Sequence, residues 1–207
     1  HMGEGLGLSQ LHLGVHAASL QDMWAVTSEI AERAGGDPGF RGLYGPKTLG
    51  TKAQPKRLTF LETEGWAKCY DTTRAAFTSY LEQLRDMGVE IVTRNDSKLA
   101  NDFEVKISDA VRLCREICSF ELRWILRQYR ETEKLSDELT IWVEMAEKLT
   151  LEDYRMALAT RAHMRQALAE VAPTTDAFIT LASVGPAPDI DFHADSGEAE
   201  YAFLTGD

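Results

Sequence analysis

The hydrophobic positions of this chain change between the two-residue period of strands and the helical period of about 3.6 residues. Apolar and polar residues alternate over residues 57–62 and again over 89–93, and helical spacing fills residues 71–87 between them. A strand, a helix and a strand of these lengths are typical of a right-handed crossover between parallel strands. A further apolar strand is predicted at residues 176–182, so the pattern predicts an α/β fold.

Helical spacing also marks residues 19–34, 105–131, 137–148 and 151–171. The last three predict a three-helix segment that follows the parallel strand-helix-strand unit. Residues 40–55, dense in Gly, Lys and Pro, are predicted to form a loop and are the one plausible linker. The expected architecture is therefore α/β, with a mixed sheet and a three-helix segment.

Two of these helices carry sequence signals for their first turn. Ser19 is followed three residues later by Asp22, and Thr150 by Asp153, so each pair can cap backbone N–H groups that a helix start leaves unpaired. No internal repeat or low-complexity segment divides the chain. We therefore predict a single α/β domain, or a fragment of one, over residues 1–207, with residues 1–2 interpreted as a cloning remnant.

The composition narrows the classes of partner. With 44% hydrophobic residues in a length of 207, the chain is apolar enough to fold around a core. Its formal net charge of −11 repels phosphate backbones and anionic lipid headgroups, so neither nucleic acid nor a membrane is expected as a partner. No stretch approaches the roughly 18 consecutive apolar residues of a membrane-spanning helix, and no signal-peptide pattern is present. The expected location is cytoplasmic.

The three cysteines are odd in number, which argues against a disulfide framework. Cys114 and Cys118 stand four residues apart and would share one helical face, so a metal pair is conceivable. The same face continues with apolar residues, namely Val111, Leu122, Ile125 and Tyr129. Buried core thiols are therefore the favoured interpretation, and neither a metal nor a cofactor is predicted.

Two further patterns resemble metal sites only in part. His12 and His16 have the spacing of two ligands on one helical turn, but the glutamate of a metalloprotease motif is missing. Residues 189–200 imitate the oxygen spacing of a calcium loop, but Ala194 stands where the sharp turn requires glycine. Two loop histidines and an acidic solvated loop are the favoured interpretations.

No catalytic nucleophile is evident in the sequence. The chain has no Gly-x-Ser-x-Gly elbow, no glycine-rich phosphate loop and no cysteine in an evidently electropositive setting. Glu62, Glu64 and Asp71, near the end of the first strand, could pair as acid and base, but surface carboxylates are the default at such positions. No catalytic residue is therefore assigned.

Four sequence segments occur in the order found in one enzyme family. The first is GVHAASLQDM followed by ERAGGDPG, and the second is RLTFLETEGW followed by TRAAFTSYLEQLRDMGVEIV. The third is LTLEDYRMALATRAHMRQAL, and the fourth is TDAFITLASVGPAPDI followed by FLTGD. Together they extend from about Gly14 to Asp207, and in this order they resemble the amidase-signature family.

This resemblance implies a mixed α/β fold and hydrolysis of carbon–nitrogen amide bonds by a Ser–cis-Ser–Lys triad with a backbone-amide oxyanion hole. In the family order that triad would lie before residue 1, and no position of this chain matches it. The chain is therefore expected to be a later-middle segment of an amidase, inactive alone, whose complete enzyme takes a small-molecule amide. Ser183, Val184 and Gly185, after the last strand, are the expected pocket wall.

Trp142 is a further candidate for substrate binding. The glutamine-using amidotransferase subunits that resemble this region carry an arginine in the helix before the Asp-Tyr motif, whereas ELTIWVEMAEKL has none. If Trp142 and Met145 face the pocket, an apolar or aromatic amide would suit them better than glutamine. Packing of Trp142 in the core is the favoured alternative.

Two functions of other classes stay open. The chain could be a noncatalytic α/β interaction module, or a split subunit completed by a partner chain. Exposed sheet edges and apolar faces would then favour a homo-oligomer or a missing-half partner. It could also be a metal-binding regulatory domain that uses the acidic residues 189–200.

Overall fold

The computed structural model describes residues 14–34, 48–51, 53–132, 135 and 137–186. Two compact units divide the chain, one that includes Leu11–Gln54 and one that includes Pro55–Asp207. The expectation of one domain over residues 1–207 stays a prediction. The patterns at His12 and at residues 189–200 lie outside the described residues.

The first unit contains helix α1 (Leu20–Ala34). Ser19 Oγ accepts a hydrogen bond from the Asp22 backbone N–H at 3.1 Å and donates one to Asp22 Oδ2 at 2.8 Å. The first of these bonds satisfies a backbone group that a helix leaves unpaired at its N-terminus. The predicted cap at Ser19 is therefore confirmed.

The second unit is built on a parallel sheet of three strands in the order β2-β1-β3. The strands are β1 (Arg57–Phe60), β2 (Glu90–Val92) and β3 (Ala177–Ile179). Leu58 of β1 lies opposite Ile91 of β2 on one side and Ala177 of β3 on the other. The α/β class and the parallel strand-helix-strand unit are confirmed. All described strands run parallel, so the mixed sheet that the sequence predicts is not seen in this part of the chain.

Seven helices of the described chain can be named, and the six that follow α1 belong to the second unit. They are α2 (Glu64–Lys68), α3 (Asp71–Asp86), α4 (Lys98–Ile107), α5 (Ala110–Glu131), α6 (Asp137–Lys148) and α7 (Leu151–Val171). A single 3-10 turn, Ala172–Thr174, follows α7. Among the described residues, no helix is both long and apolar enough to span a membrane.

Helices cover both faces of the central strand. On one face Leu58 and Phe60 pack with Leu81 of α3. On the other face Leu61, just past the strand, packs with Phe103 of α4 and Val171 of α7. A strand covered on both sides buries nearly all its residues, and Leu58, Thr59 and Phe60 are at most 7% exposed.

The predicted helix over residues 105–131 is wrong, because α4 and α5 are separate helices. The α4 helix begins earlier, where Ser97 Oγ accepts a hydrogen bond from the Ala100 backbone N–H at 3.4 Å. It ends before Ser108 and Asp109, which form a turn. Two of the helices were therefore not predicted, since α2 is too short for a periodic pattern and α4 was partly merged into α5.

A C-terminal cap at Gly88 ends α3 and leads the chain into β2. Gly88 has a φ of +84°, a conformation that costs a residue with a Cβ more than it costs glycine. The Val89 N–H donates to Leu84 O at 3.0 Å, and the Gly88 N–H donates to Arg85 O at 2.9 Å. These are the two bonds of a Schellman motif, and Val89 and Leu84 both pack in the core beside β1.

The interpretation of Cys114 and Cys118 as buried core thiols is wrong. Cys114 is exposed and Cys118 is half-buried, and of the three cysteines Cys69 is the buried one. The buried face of α5 consists of Leu113, Ile117, Ser119, Phe120 and Leu126. Consecutive helical residues point about 100° apart. The predicted face is displaced by one residue along the sequence from the buried face, so it points in a different direction.

Candidate functional site

The carboxyl ends of the three parallel strands meet at one edge of the sheet. β1 lies between the other two strands. After β1 the chain forms β2 on one side of it, and it later returns to form β3 on the opposite side. Ligands of open α/β sheets bind outside the carboxyl ends of the strands, next to such a reversal of strand order. The candidate site is therefore the edge formed by the residues that follow β1, β2 and β3.

Hydrogen bonds hold the ends of β1 and β3 together beyond the strands themselves. The Leu61 N–H donates to Ile179 O at 2.9 Å, and the Thr180 hydroxyl donates to Leu61 O at 3.3 Å. Farther along, the Tyr70 N–H donates to Val184 O at 3.0 Å. The segment after β3 is thus fixed against the segment after β1.

The structure brings Ser183, Val184 and Gly185 to this edge. Val184 is 3% exposed and packs against Cys69, so its side chain belongs to the core. The Ser183 hydroxyl donates to Gly185 O at 3.0 Å, which closes a tight local turn. A Cβ on Gly185 would lie 2.7 Å from the Tyr70 ring, so the backbone passes close to that ring. Their role as a pocket wall stays a prediction.

A buried carboxylate that the sequence did not single out lies at the same edge. Glu104 of α4 is 5% exposed, and its Oε1 accepts a hydrogen bond from the Glu62 backbone N–H at 2.8 Å. Its Oε2 lies 3.2 Å from Arg94 Nη1, an ion-pair distance, and accepts no hydrogen bond from the described residues. Glu104 therefore links the end of β1 to the loop after β2.

Burial dominates the electrostatics of Glu104. Removal from water raises the pKa of this carboxyl above its usual range, more than the hydrogen bond from Glu62 and the charge of Arg94 lower it. A buried carboxyl with a raised pKa is a group that can hold or release a proton near a bound ligand. A sequence signal did exist, because Ala100, Phe103 and Ile107 define an apolar face of α4 on which Glu104 also lies.

The loop after β2 is held by a second carboxylate. Asp96 Oδ2 accepts hydrogen bonds from the Thr93 hydroxyl at 2.7 Å and from the Thr93 backbone N–H at 2.9 Å. These bonds lower the pKa of Asp96. Arg94 in the same loop donates to the Asn101 side chain at 3.2 Å, so the guanidinium that faces Glu104 is held from both sides.

Three aromatic side chains pack together next to the segment that follows β1. Phe60, Trp66 and Phe77 pack together with ring centroids 5.0 to 5.9 Å apart. Arg74 lies over the Trp66 ring at 4.6 Å and donates to Trp66 O at 2.6 Å. These contacts hold the short helix α2, which carries Trp66, in place just before the segment that contains Tyr70.

The structure places Trp142 on α6, which packs against α5. Val143 and Ala146 are the buried residues of this helix, and the Ser119 hydroxyl of α5 lies 3.4 Å from Met145 Sδ. Met145 therefore faces α5. Trp142 is half-buried, and its predicted role in substrate binding stays a prediction.

The remaining candidates are distributed over the surface. Glu64 forms an ion pair with Lys68, Asp71 is exposed at the start of α3, and Glu62 contributes its backbone N–H to Glu104. A cavity of about 380 Å³, which involves none of these candidates, is lined by Lys106 of α4 and by the exposed His163 and Gln166 of α7, among others. Within the described part of the chain, no group of three or more His, Cys, Asp or Glu side chains could hold a metal ion.

No known family model matches this chain, and no curated protein matches its sequence. The arrangement itself offers a buried carboxyl, a guanidinium and several ordered backbone groups at the carboxyl edge of a parallel sheet. Such a set can orient a polar ligand and exchange a proton with it.

Proposed function

We propose that this chain is a segment of an amidase-type hydrolase, an enzyme that cleaves carbon–nitrogen amide bonds, and that it forms one wall of the substrate pocket. The proposal rests first on the four collinear segments that resemble the amidase-signature family. In the complete enzyme the substrate is a small-molecule amide. The same proposal includes a fold of the amidase-signature type for this chain, which is more specific than the α/β class.

The observation that carries the proposal is the junction of β1 with β3. The segments RLTFLETEGW and TDAFITLASVGPAPDI contain these two strands, which pair in parallel in the register Thr59 with Phe178. The bond from the Tyr70 N–H to Val184 O then joins the loops that follow them. Two segments more than 100 residues apart thereby form one continuous edge, which supports a shared pocket wall.

The isolated chain is expected to be inactive, because the resemblance assigns the nucleophile and its base to a segment that no position here matches. The test compares the purified chain of 207 residues with the complete gene product that contains it. Release of ammonia or amine from simple aliphatic and aromatic amides is the measurement. Turnover is expected only from the complete product. Turnover by the purified isolated chain, or none by a complete product that bears the triad, would contradict the proposal.

Two variants in the active product separate a pocket role from a structural one. Gly185→Ala places a Cβ 2.7 Å from the Tyr70 ring at the proposed wall, and because the ring must move, we expect a higher KM for amides. Trp142→Ala distinguishes the two interpretations of that residue: a changed KM for aromatic amides supports a pocket role, and an unchanged KM with a lower midpoint of unfolding supports core packing. Glu82→Ala, an exposed change on α3, is the control and should leave both quantities unaltered.

Exposed apolar side chains favour a second candidate, an interaction module or split subunit. Trp124 of α5 is 64% exposed, and Leu151 and Met156 of α7 are 62% and 55% exposed. Large exposed apolar side chains are a feature of surfaces that meet a partner. Sedimentation velocity of the isolated chain tests this candidate, which predicts a homo-oligomer or capture of the missing half, whereas a monomer at all concentrations argues against it.

A further inference from the structure

A cavity of about 380 Å³ is lined by residues of α4 and α7. Its described lining consists of Lys106 from α4 and of four residues from α7, namely Thr160, His163, Met164 and Gln166. None of these residues lies in the segments that follow the strands, so the cavity uses different residues from the candidate site. Cavities that bind small molecules usually have volumes of about 300–1,000 Å³, so this one is large enough for a small ligand.

Apolar packing holds the two helices that form the cavity. Phe103 of α4, one helical turn before Lys106, belongs to the same buried cluster as Ala167 of α7. Met164 packs against a second cluster, which α5 and α7 share. Because both clusters fix the helices in place, the cavity is already formed before a ligand binds.

The lining is accessible from solvent and has an apolar part. Lys106, Thr160, His163 and Gln166 are exposed, whereas Met164 is half-buried. The thioether of a methionine is polarizable and adapts to apolar groups of different shapes. A ligand can therefore enter from solvent and place an apolar group against Met164.

The polar groups of the lining favour a negatively charged ligand. The side chains of Lys106 and His163 make no hydrogen bond or ion pair with the described residues. Gln166 Nε2 donates to Glu170 Oε1 at 3.3 Å, which leaves its second N–H available. The described lining contains no carboxylate, although the chain has 33 acidic residues. The cavity thus offers a positive charge and several N–H donors that have no acceptor of their own.

We propose that this cavity binds a small organic carboxylate with an apolar body, that Lys106 and His163 hold its carboxylate, and that Met164 contacts its apolar part. The ammonium of Lys106 supplies a positive charge and three N–H donors, and the imidazole of His163 adds a donor from α7. The inference does not rest on the proposed function, because it involves neither the carboxyl edge of the sheet nor amide hydrolysis.

The apolar body of the ligand is needed for its affinity. An ion pair at an exposed lysine contributes little by itself, because water screens the charges. Hydrocarbon that leaves water against Met164, and along the methylene groups of Lys106, supplies the larger part of the binding free energy. An amphipathic acid is therefore favoured over a small inorganic anion such as phosphate.

The test is a titration of the chain with octanoate, followed by NMR of the isotope-labelled protein and by the thermal midpoint of unfolding. Octanoate should shift the amide signals of residues 106 and 160–166 and raise the midpoint, because binding to the native state stabilises it. A ligand of roughly ten non-hydrogen atoms with ordinary ligand efficiency has a dissociation constant of about 1 mM or lower. Octanol has the same carbon chain without the charge, and acetate has the charge without the chain. Each should bind at least about fivefold more weakly than octanoate.

Variants of Lys106 separate direct contact from the general field of the protein. Lys106→Gln should weaken octanoate binding about fivefold, whereas Lys106→Arg keeps the charge and should retain most of the affinity. His163→Ala should weaken binding in the same direction. Arg165→Gln removes the same charge from an exposed position of α7 outside the described lining. This control should bind octanoate as the native chain does.

Four results would overturn the proposal. Equal affinity for octanol and octanoate excludes a role of the charge, and unchanged affinity in Lys106→Gln excludes the contact with that residue. Signal shifts confined to residues other than 106 and 160–166 place the ligand elsewhere. Absence of saturable binding at concentrations about tenfold above the expected dissociation constant excludes the site. The thermal midpoint of each variant without ligand is measured first, so that loss of binding is not confused with loss of folding.

Discussion

The Glu104 carboxylate accepts a hydrogen bond from the backbone N–H of Glu62 at 2.8 Å, across 42 residues of sequence. This bond ties α4 to the first residues beyond the central strand. The second carboxylate oxygen faces Arg94, in the loop after β2. One side chain thereby connects the carboxyl ends of two neighbouring strands, at the edge where the candidate site lies.

Removal of the Glu104 carboxylate should destabilise the second unit. Glu104→Ala leaves the Glu62 N–H without its acceptor and Arg94 without its counter-charge, which we expect to cost about 1–3 kcal/mol of the free energy of unfolding. Glu104→Gln keeps an acceptor for the N–H and should cost less. Urea denaturation measures both variants. Equal midpoints for native chain and Glu104→Ala would contradict a supporting role of this bond.

The stability contribution of Glu104 should decrease as pH rises. Burial raises the pKa of Glu104 above its ordinary 4.5. A carboxyl with a raised folded-state pKa contributes stability that is fully present below the unfolded-state pKa and is lost as pH rises through the folded-state pKa. We therefore expect the native chain to lose stability relative to Glu104→Gln as pH rises above the ordinary value of 4.5. Urea midpoints of the two proteins over a pH series provide the measurement, and a difference that does not change with pH would argue against a buried ionising group.

Asp176 should show the opposite dependence. Its Oδ2 accepts hydrogen bonds from the backbone N–H groups of Lys56 at 2.7 Å and Arg57 at 3.0 Å, and these bonds lower the pKa of Asp176 below its ordinary 3.8. The stability that the carboxylate provides is present above 3.8 and is lost as pH falls through the lower folded-state pKa. Asp176→Asn should lower the midpoint of urea unfolding at neutral pH, with the difference from the native chain shrinking in acid. A constant difference would contradict the assignment.

Gly185 and Tyr70 should be energetically coupled. A Cβ on residue 185 would meet Tyr70 Cδ2 and Cε2 at 2.7 Å, so Gly185→Ala must displace the ring. Overpacking of this kind costs about 1–3 kcal/mol. In a Tyr70→Ala background the same substitution should cost much less, which a double-mutant cycle of unfolding free energies measures. Gly50→Ala is the matched control, because nothing lies within 4 Å of its added Cβ. Additive effects of the two changes at 185 and 70 would exclude the contact.

Gly88→Ala should destabilise the end of α3. The residue has a φ of +84°, and an L side chain in the left-handed region costs roughly 1–2 kcal/mol. Asn tolerates this region better than Ala, so Gly88→Asn should cost less. Thermal or urea unfolding of the two variants gives the ranking, and the opposite ranking would show that this cap does not require a left-handed residue.

Local patterns predicted most of the elements. The helices at α1, α3, α6 and α7 and the strand-helix-strand unit follow from periodicity, and Thr150 with Asp153 forms the predicted capping box. These features depend on interactions within one or two turns, which the order of residues specifies directly. The strands are shorter than predicted, because the pattern of apolar residues continues beyond the residues that form regular ladders.

The sequence by itself determined the α/β class, the capped helices and the parallel crossover, since periodicity and capping are local. Only the tertiary structure decided which face of α5 is buried, that Glu104 is withdrawn from water, and that the segment after β3 packs on Tyr70 and Cys69. These three features depend on contacts between residues that lie tens to more than 100 positions apart in the sequence. Whether a side chain is buried or exposed is set by the residues that cover it in the folded chain. The pKa of a charged residue on an apolar face, as at Glu104, is raised only by the burial that the folded structure imposes on it.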